Sequence, residues 1–442
     1  MKFLFLVIIF IILNNCSFDK KSGIWKNEQN ISSKKEKDIF SDFKKISDTK
    51  EIFNKSIILD NEFKFKISPP IDNYQWQDIF YKKNNNLDNF NYTEKNELSS
   101  LGKKISRQKI DNYFLFENNN IITTDLNGNI FIFSINQNIV LNKFNFYKKR
   151  YKKIKKKLNI IVENNIVYVS DNLGYLYAYD YIENKLIWGK KYKAPFRSNL
   201  KISKKKLITS NQDNHLIFFN KNNGDLIKLI PTEESVVKNK FVNNISLNQN
   251  YLIYLNSFGS LYSIDLESME LIWFINLREN LDLNPSNLFL GNQIINNDNI
   301  IVASSSESSY IVDINNGSIL YKQNFSSDVR PVIYNNYVFF LTKNNFLICF
   351  DIIKNKILYS YEVNQLIADF LDSKKNNLTF KSLMIVNNKI FIFLENSYLV
   401  KFNLNGKLLS IDKLASKINT MPILVKGSIM FINNRNKLAI ID

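Results

Sequence analysis

The sequence predicts an all-β fold, an eight-bladed β-propeller of four-stranded blades whose ring is closed by an N-terminal strand. Three observations support this prediction. A hairpin pattern recurs about every 44 residues along most of the chain. A polar residue and an aromatic residue keep a fixed spacing within the repeat. No helical period lies between the predicted strands.

The clearest copy of the repeat covers residues 171–188. Gly174 in its opening turn supplies a backbone conformation that other residues resist, and residues 175–179 read as a strand. Asp180 ends this strand, and a short turn leads into a second strand at residues 186–188. The position of Asp180 recurs at Ser134, Asn220, Asp265, Asp313, Asp351, Asn403 and Asp442, which gives eight units.

The second landmark is an aromatic residue eight positions after the first. Trp188, Trp273, Tyr321 and Tyr359 all keep this distance. The turn between the landmarks often carries an Asn-Gly pair, which suits a tight hairpin. Another strand pair precedes each hairpin, so a unit has four short strands. Eight equal units favour a propeller over a β-sandwich, which is the alternative for an all-β chain.

The last unit has no outermost strand of its own, because it ends at Asp442. A closed ring needs that strand, since an unpaired sheet would leave the last blade incomplete. We therefore expect residues 97–105 to supply it. On this interpretation the propeller spans residues 97–442.

The first residues resemble a bacterial lipoprotein signal. Residues 1–15 contain an apolar run that is too short to cross a bilayer but suits a signal-peptide core. Cys16 would be lipidated, although Asn14 and Asn15 replace the small residues usual before the cysteine. Ser17 resembles the signals that are sorted to the outer membrane. The alternatives are an ordinary secretory signal or an uncleaved anchor, and all three place the ring outside the cytoplasm.

Two segments separate this signal from the ring. Residues 16–57 are polar and charged, so we expect a flexible tether. Residues 58–96 are expected to form an N-terminal extension packed on the outside of the ring. Within it, residues 62–67 alternate as a strand, and Pro69 and Pro70 stop that strand.

The chain carries a formal charge of +18 at pH 7. Such a balance favours anionic partners, while a lysine-coated protein from a composition-biased genome is the alternative. The strongest basic run, residues 148–157, falls between units one and two and is expected to be a surface loop. It would contact anionic lipid heads or an acidic partner, or be merely solvated.

The sequence has few residues in catalytic patterns. Cys349 lies in a predicted core strand, and Cys16 stands far from it, so the chain offers no disulfide framework. His215 is the only histidine and is expected to be an ordinary turn residue. There is no nucleophile elbow, phosphate-binding glycine loop or metal-ligand spacing. We expect no catalytic residue, cofactor or metal.

The repeat resembles the blade motif of propellers of the pyrroloquinoline-quinone type. The matching residues are Asp171, Gly174, Leu176, Ala178, Asp180, Asn184, Lys185 and Trp188, with a fainter copy at Asn256, Gly259, Leu261, Asp265 and Trp273. That superfamily includes quinoprotein dehydrogenases and a non-enzymatic branch, the propeller lipoproteins of the outer-membrane β-barrel assembly machinery. Residues 65–70, 74–77 and 327–342 look like the non-enzymatic branch.

The resemblance also implies which residues meet a partner. In the assembly lipoproteins the loop that enters the fourth blade contacts the periplasmic domains of the insertase. The corresponding loop here is residues 231–240, in which Val236, Val237 and Lys238 are the expected contacts. The family uses an arginine in this loop, and lysine lacks its bidentate fork. The quinone enzymes hold their cofactor against adjacent cysteines and a calcium ion, whereas this chain has no Cys-Cys pair.

Taken together, the resemblance implies a non-enzymatic scaffold lipoprotein of the outer-membrane protein assembly complex. It would be lipid-anchored on the periplasmic face of the outer membrane, dock on the barrel insertase, and assist nascent outer-membrane proteins. It would be a monomer within a hetero-complex and bind no nucleic acid. The alternatives are a periplasmic quinoprotein dehydrogenase and a generic ligand-binding propeller, such as an adhesin or a glycan binder.

Overall fold

The computed structural model describes residues 16–18, 25–27, 52–234, 243–278, 289 and 291–442. The chain divides into two compact units, Met1–Glu51 and Ile52–Asp442. In the first unit, β1 (Cys16–Phe18) pairs antiparallel with β2 (Trp25–Asn27). The elements that follow belong to the second unit.

The second unit is an eight-bladed propeller of four-stranded antiparallel sheets, as predicted. Two strands precede the blades, namely β3 (Asn89–Phe90) and β4 (Leu98–Lys104). Blades 1 and 2 consist of β5 (Ile110–Glu117), β6 (Asn120–Asp125), β7 (Asn129–Ser134), β8 (Ile139–Asn145), β9 (Leu158–Glu163), β10 (Ile166–Asp171), β11 (Tyr175–Asp180) and β12 (Lys185–Lys191). Blades 3 and 4 consist of β13 (Lys201–Ser203), β14 (Lys206–Ser210), β15 (Leu216–Asn220), β16 (Leu226–Ile230), β17 (Asn244–Leu247), β18 (Tyr251–Leu255), β19 (Ser260–Asp265) and β20 (Leu271–Asn276).

The remaining four blades repeat this order. Blades 5 and 6 consist of β21 (Ile295–Asn296), β22 (Ile300–Ser304), β23 (Ser309–Asp313), β24 (Ile319–Gln323), β25 (Val332–Tyr334), β26 (Tyr337–Leu341), β27 (Phe346–Asp351) and β28 (Lys356–Glu362). Blades 7 and 8 consist of β29 (Phe380–Val386), β30 (Lys389–Leu394), β31 (Tyr398–Asn403), β32 (Leu408–Lys413), β33 (Ile423–Val425), β34 (Ser428–Ile432) and β35 (Lys437–Ile441). Strand β4 completes blade 8, and β3 adds to the inner edge of blade 7.

The inner strands of each blade are buried on both faces, and the outermost strand is half exposed. Strands β6 and β7 have no exposed residue, whereas exposure alternates along β8. The cause is the ring itself, because each sheet is covered by a neighbouring blade on both sides except at its outer edge.

The aromatic landmark of the repeat joins neighbouring blades. The indole nitrogen of Trp188 in blade 2 donates a hydrogen bond to the carbonyl of Lys221 in blade 3, at 3.0 Å. Its ring covers Gly224, where φ is +74° and an added Cβ would lie 2.6 Å from the ring. Trp273 repeats this arrangement on Gly317. The spacing of eight residues therefore places an aromatic ring over a turn of the next blade, and the turn requires glycine.

An N-terminal strand closes the ring, as predicted. Strand β4 pairs antiparallel with β35, with Leu98 opposite Ile441 and Lys104 opposite Lys437. Residues from both ends of the ring thus share the sheet of blade 8, so the circle closes without a free edge at the junction.

The N-terminal extension lies differently from the prediction, which placed it on the outside of the ring. Residues 71–93, which we call the plug, run once around one mouth of the central channel and contact the blades in numerical order. Trp76 exchanges two backbone hydrogen bonds of 2.8 Å with Phe116 of blade 1. At the other end, the backbone of Thr93 donates to the carbonyl of Gly427 of blade 8, at 3.1 Å. The sequence did not indicate these contacts, because they depend on backbone groups and asparagines that carry no periodic signal.

Asparagines of the plug bind the middle blades. The side chain of Asn85 donates to the carbonyls of Ile245 and Ile294, at 3.0 and 2.9 Å. Asn86 exchanges two hydrogen bonds with the backbone of Ile333, at 2.8 and 2.9 Å. These amides satisfy backbone groups at the inner strand ends of blades 4, 5 and 6, which would otherwise be buried without partners.

The packed chain begins at residue 52, earlier than the predicted boundary at 58. Phe53 is buried, with its ring centre 5.9 Å from that of Phe325. Ile57 exchanges two backbone hydrogen bonds of 3.0 and 2.9 Å with Ser360 in the outermost strand of blade 6. The rest of the predicted tether, apart from β1 and β2, lies outside the described residues.

Two further expectations are corrected. Residues 62–67 form no strand. Instead Phe63 and Phe65 pack edge-on against Tyr337 of blade 6, so their alternation reflects two aromatic contacts on one ring. The connections between strands include a helix, α1 (Val363–Phe370), where only strands were expected.

No helix in the described part of the chain has the length and apolar character needed to cross a membrane.

Candidate docking face

The two faces of the propeller differ. Turns between the first and second and between the third and fourth strands of each blade lie on the side that carries the plug, which we call the plugged face. The opposite side, the loop face, carries the turns between the second and third strands and the connections between blades. Any surface for a partner at the channel mouth therefore belongs to the loop face.

A buried ion pair fixes the plug to blade 3. The ammonium of Lys201 has no exposed surface and lies 2.6 Å from a carboxylate oxygen of Asp78. It also donates to the carbonyl of Lys82, at 2.8 Å. Burial lowers the pKa of Lys201, and the neighbouring carboxylate opposes that shift. The ion pair fixes the position of the plug, although removing its two charges from water is itself unfavourable.

Side chains cross the channel above the plug. The ring of Phe80 lies 5.5 Å from that of Tyr113 in blade 1 and 5.8 Å from the guanidinium of Arg330 in blade 6. Arg330 also donates to the carbonyl of Phe80, at 2.8 Å, and burial lowers its pKa to about 10. Gln293 of blade 5 reaches the hydroxyl of Tyr113, at 3.3 Å. Residues of opposite blades thus meet on the axis.

These residues do not fit a quinone with its calcium ion. Phe80, Tyr113 and Arg330 already contact one another where an axial cofactor would lie. Cys349 is buried in β27, away from the inner strands, as a core residue. Across the described ranges no group of three His, Cys, Asp or Glu side chains could hold a metal ion.

The predicted partner-binding residues Val236, Val237 and Lys238 lie outside the described residues. The structure does describe where their loop begins and ends. Glu233 precedes the gap, and Asn243 follows it.

Both ends of this loop are fixed to blades 3 and 4. The carboxylate of Glu233 accepts hydrogen bonds from the hydroxyl of Tyr262, from Ser260 at 2.8 Å and from Asn256 at 2.9 Å. Burial alone would raise the pKa of Glu233, but these hydrogen bonds outweigh burial and lower it. The side chain of Asn243 is buried and donates to the hydroxyl of Tyr254, at 3.0 Å. The residues on either side of residues 235–242 are therefore held by blades 3 and 4.

His215 lies in the turn between the second and third strands of blade 3, as predicted. Its backbone N–H donates to the side chain of Asn211, at 2.9 Å. Its Nε2 lies 3.1 Å from a carboxylate oxygen of Glu234. The histidine thus supports the base of the same loop, a role that the turn pattern alone did not reveal.

The basic run at residues 148–157 is a surface loop between blades 1 and 2, as predicted. It contains a short 3-10 turn, Lys149–Tyr151, and most of its lysines are exposed. Lys156 is the exception: its ammonium donates to the carbonyl of Tyr151, at 2.5 Å, and lies 5.2 Å from the ring centre of Tyr147. One lysine therefore anchors the loop while its neighbours face solvent.

Charge is distributed unevenly around the ring, a feature that sequence reasoning missed although the sequence contains it. Residues 146–157 hold eight cations and no acid. Residues 241–321, which form most of blades 4 and 5, hold one cation and eight acids, so their net charge is −7. A chain with a net charge of +18 thus has an acidic sector beside a strongly basic remainder.

Asp111 lies at the start of blade 1, beside the channel. It accepts a hydrogen bond from the hydroxyl of Thr124, at 2.7 Å. Burial nevertheless raises the pKa of Asp111 to about 6, and the nearby Lys157 only partly offsets this shift.

Cys16, the predicted lipidation site, is the first residue of β1. Its lipidation stays a prediction.

The ring, its four-stranded blades and its closure define the class of protein: an eight-bladed β-propeller. A family model described as Outer membrane protein assembly factor BamB matches residues 145–361. Residues 145–361, just under half of the chain, are therefore similar to this family. No curated protein matches its sequence.

Solved structures share the fold at low identity. BamB from Moraxella catarrhalis aligns with a TM-score of 0.60 and 11% identity, over 78% of this chain and 99% of that chain. A quinohemoprotein alcohol dehydrogenase from Comamonas testosteroni aligns with a TM-score of 0.62 and 10% identity, over 83% of this chain and 80% of that one. The computationally designed protein Ika8 gives 0.57 and 12%, over 77% and 98%. Identities this low establish the architecture alone.

Proposed function

We propose that this chain is a non-enzymatic scaffold lipoprotein of the machinery that assembles β-barrel proteins in the outer membrane. Residues 1–15 serve as its signal peptide, Cys16 carries the lipid, and the residues up to 51 tether the propeller to the periplasmic face of the outer membrane. The propeller docks on the barrel insertase and assists nascent outer-membrane proteins. The match of residues 145–361 to the BamB family model carries this proposal.

The geometry of the loop face supports docking. A scaffold needs a rigid surface with a few apolar and cationic anchors rather than a reacting group. Val236, Val237 and Lys238 belong to residues 235–242, and the flanking residues Glu233 and Asn243 are held by hydrogen bonds to blade 4. We propose these three residues as contacts to the periplasmic domains of the insertase. The plug supports the same assignment, because it covers the other mouth of the channel.

A pull-down from detergent-solubilised envelopes tests the docking. The wild-type chain is expected to recover the insertase, and the double variant Val236→Asp/Val237→Asp is expected to lose most of it. The matched control is Ile182→Asp, which places the same charge at a turn residue of the plugged face that is 59% exposed. Recovery of no insertase by the wild-type chain would contradict the proposal, and so would equal losses in the two variants.

Labelling with palmitate tests the anchor. The wild-type chain is expected to incorporate label, and Cys16→Ala is expected to incorporate none and to leave the membrane fraction. Equal labelling of both chains would contradict lipidation at Cys16.

The enzymatic alternative rests on the shared fold of the quinohemoprotein alcohol dehydrogenase. A purified scaffold is expected to reduce no dye when pyrroloquinoline quinone, calcium and alcohols are added. Dye reduction that depends on the added quinone would support the dehydrogenase instead.

A further inference from the structure

The outer edges of the blades provide an internal comparison. In seven blades the register between the third and fourth strands shifts by one residue, which leaves one bulge residue on the fourth strand. Six of these bulge residues are exposed to almost the same extent: Leu141 43%, Ile187 43%, Ile227 43%, Ile272 44%, Leu320 42% and Leu409 41%. The seventh, Leu358 of blade 6, is 7% exposed.

An extended segment of the same chain pairs with this edge of blade 6. Ile57 forms an antiparallel bridge with Ser360, two residues beyond the bulge, through two backbone hydrogen bonds. Phe53 and Ile57 pack in a different apolar cluster from Leu358, which shares its cluster with Leu59, Val363 and Ile367. The fold therefore already shows that such an edge accepts an extended strand that pairs with its backbone.

Strand β20 of blade 4 presents the same edge uncovered. Trp273 lies opposite Ser263 of the third strand, as Tyr359 lies opposite Cys349 in blade 6. Phe274 is therefore the equivalent of Ser360. The backbone N–H and C=O of Phe274 therefore point away from the sheet. No backbone hydrogen bond from elsewhere in the described chain reaches residues 272, 274 and 276. The side chain of Phe274 is 57% exposed.

Strand β20 is also distinct in charge. Its sequence, LIWFIN, contains no charged residue, whereas each of the other seven outermost strands contains at least one lysine. A lysine on an edge strand discourages pairing with another chain, because the incoming strand would have to accommodate the charge. Blade 4 alone lacks this protection.

The surroundings of β20 indicate the charge of its partner. The described residues 243–278 and 291–321 hold six acids and one cation, a net charge of −5, and the exposed Glu270 directly precedes the strand. An incoming segment with basic ends would be attracted, while one with acidic ends would be repelled.

We propose that the outer edge of β20 is a strand-addition site for an extended, alternately apolar segment with basic ends, supplied by an unfolded β-rich polypeptide. The segment pairs with the backbone at Phe274 beside Ile272, as Ile57 pairs with Ser360 in blade 6. This inference rests on the proposed function, since it names the surface at which a scaffold would hold a nascent barrel strand.

A synthetic peptide tests the site on the full chain. The probe has about ten residues, alternating Val or Leu with Thr, a lysine at each end and a fluorophore, and its binding is followed by anisotropy. Ile272→Lys is expected to weaken binding about tenfold or more. The matched variant Ile227→Lys places the same charge at the equivalent bulge residue of β16 and is expected to change binding less than about twofold.

Two altered peptides separate backbone pairing from simple hydrophobic contact. N-methylation of alternate residues, made in both registers, is expected to abolish binding in one register because it removes the donors that face β20. Replacing the terminal lysines by glutamates is expected to weaken binding. Equal losses in Ile272→Lys and Ile227→Lys, or tight binding of both methylated peptides, would overturn the proposal.

A second copy of this chain is the competing occupant. Concentration-dependent dimerisation in sedimentation that Ile272→Lys abolishes, with no peptide binding, would overturn the proposal in favour of self-association. The peptide test and the envelope pull-down fail independently. Loss of peptide binding with retained insertase would reject this site alone, whereas absence of insertase would reject the docking.

Discussion

The two faces of this propeller use their polar residues in different ways. On the plugged face, Asp78, Asn85 and Lys201 are buried, and their partners are other groups of the same chain. On the loop face, the lysines of residues 148–157 are mostly exposed, and Glu233, itself exposed, accepts a hydrogen bond from Ser260. The plugged face therefore contributes mainly to stability, and the loop face is free to contribute to binding.

Because the two faces differ in this way, effects on folding and effects on binding can be tested separately in this chain. Substitutions of the buried polar residues on the plugged face should unfold the ring before they affect a partner. Substitutions among the exposed residues of the loop face should alter binding at nearly constant stability.

Asp78→Ala should have the largest effect. It leaves the ammonium of Lys201 buried without its counter-ion, which costs about 3–5 kcal/mol. The free energy of unfolding in urea measures this loss. The double variant Asp78→Ala/Lys201→Met removes the unpaired charge and should be more stable than the single variant. A change below about 1 kcal/mol in the single variant would contradict a stabilising plug.

Gly224→Ala should destabilise the ring by about 1–3 kcal/mol, because the added Cβ meets the ring of Trp188 and φ is positive. Asn222→Ala in the same turn is the control, and it should change the free energy of unfolding by less than about 0.5 kcal/mol. Equal changes in the free energy of unfolding for the two variants would show that the aromatic contact between blades contributes little to stability.

Asp111→Asn should stabilise the protein at pH 7. The pKa of Asp111 is raised to about 6 in the folded chain, so the folded state binds the proton more tightly than the unfolded state. The contribution of this group to stability is therefore complete below about pH 4 and is lost as the pH rises to about 6. Unfolding in urea should show a gain of roughly 1–2 kcal/mol for the variant at pH 7 and almost none at pH 4. A gain that is equal at both pH values would contradict the raised pKa.

The smallest effects concern two adjacent lysines of the loop face. Lys155 is exposed, so Lys155→Gln should leave the free energy of unfolding within about 0.5 kcal/mol. Lys156 is buried and donates to the carbonyl of Tyr151, so Lys156→Gln should cost about 1–2 kcal/mol. Indistinguishable unfolding curves for the two variants would show that Lys156 does not anchor the loop.

Much of the ring could be predicted from the sequence because its determinants repeat. Asp180 and Trp188 keep their spacing since each blade must end a strand and cover a turn of the next blade in the same way. The closing strand β4 followed from one missing strand in the last blade. Packing that repeats from blade to blade therefore produces a repeat in the sequence.

The plug could not be predicted in the same way. Asn85 and Asn86 bind backbone carbonyls and N–H groups of three different blades, and any blade offers such groups. Asparagines in an irregular segment look the same whether they bind solvent or protein. The alternation of Phe63 and Phe65 was misleading because two aromatic contacts with Tyr337 repeat at the same interval as a strand.

The candidate surfaces were predictable only in part. The basic run at residues 148–157 was identified as a loop, but the anchoring role of Lys156 needed the position of Tyr147. The uncharged strand β20 was visible in the sequence. Its role as a candidate pairing edge became clear only when the structure showed Ile57 paired with the equivalent edge of blade 6.

Site-specific cross-linking in intact envelopes tests whether the propeller docks on the insertase by its loop face. A photoreactive residue is placed at Lys238 on the loop face, and separately at Ile182 and Ile353, which are exposed turn residues of the plugged face. We expect adducts with the barrel insertase from position 238 and none from the other two. Adducts from positions 182 and 353 without one from position 238 would contradict a scaffold that docks by its loop face.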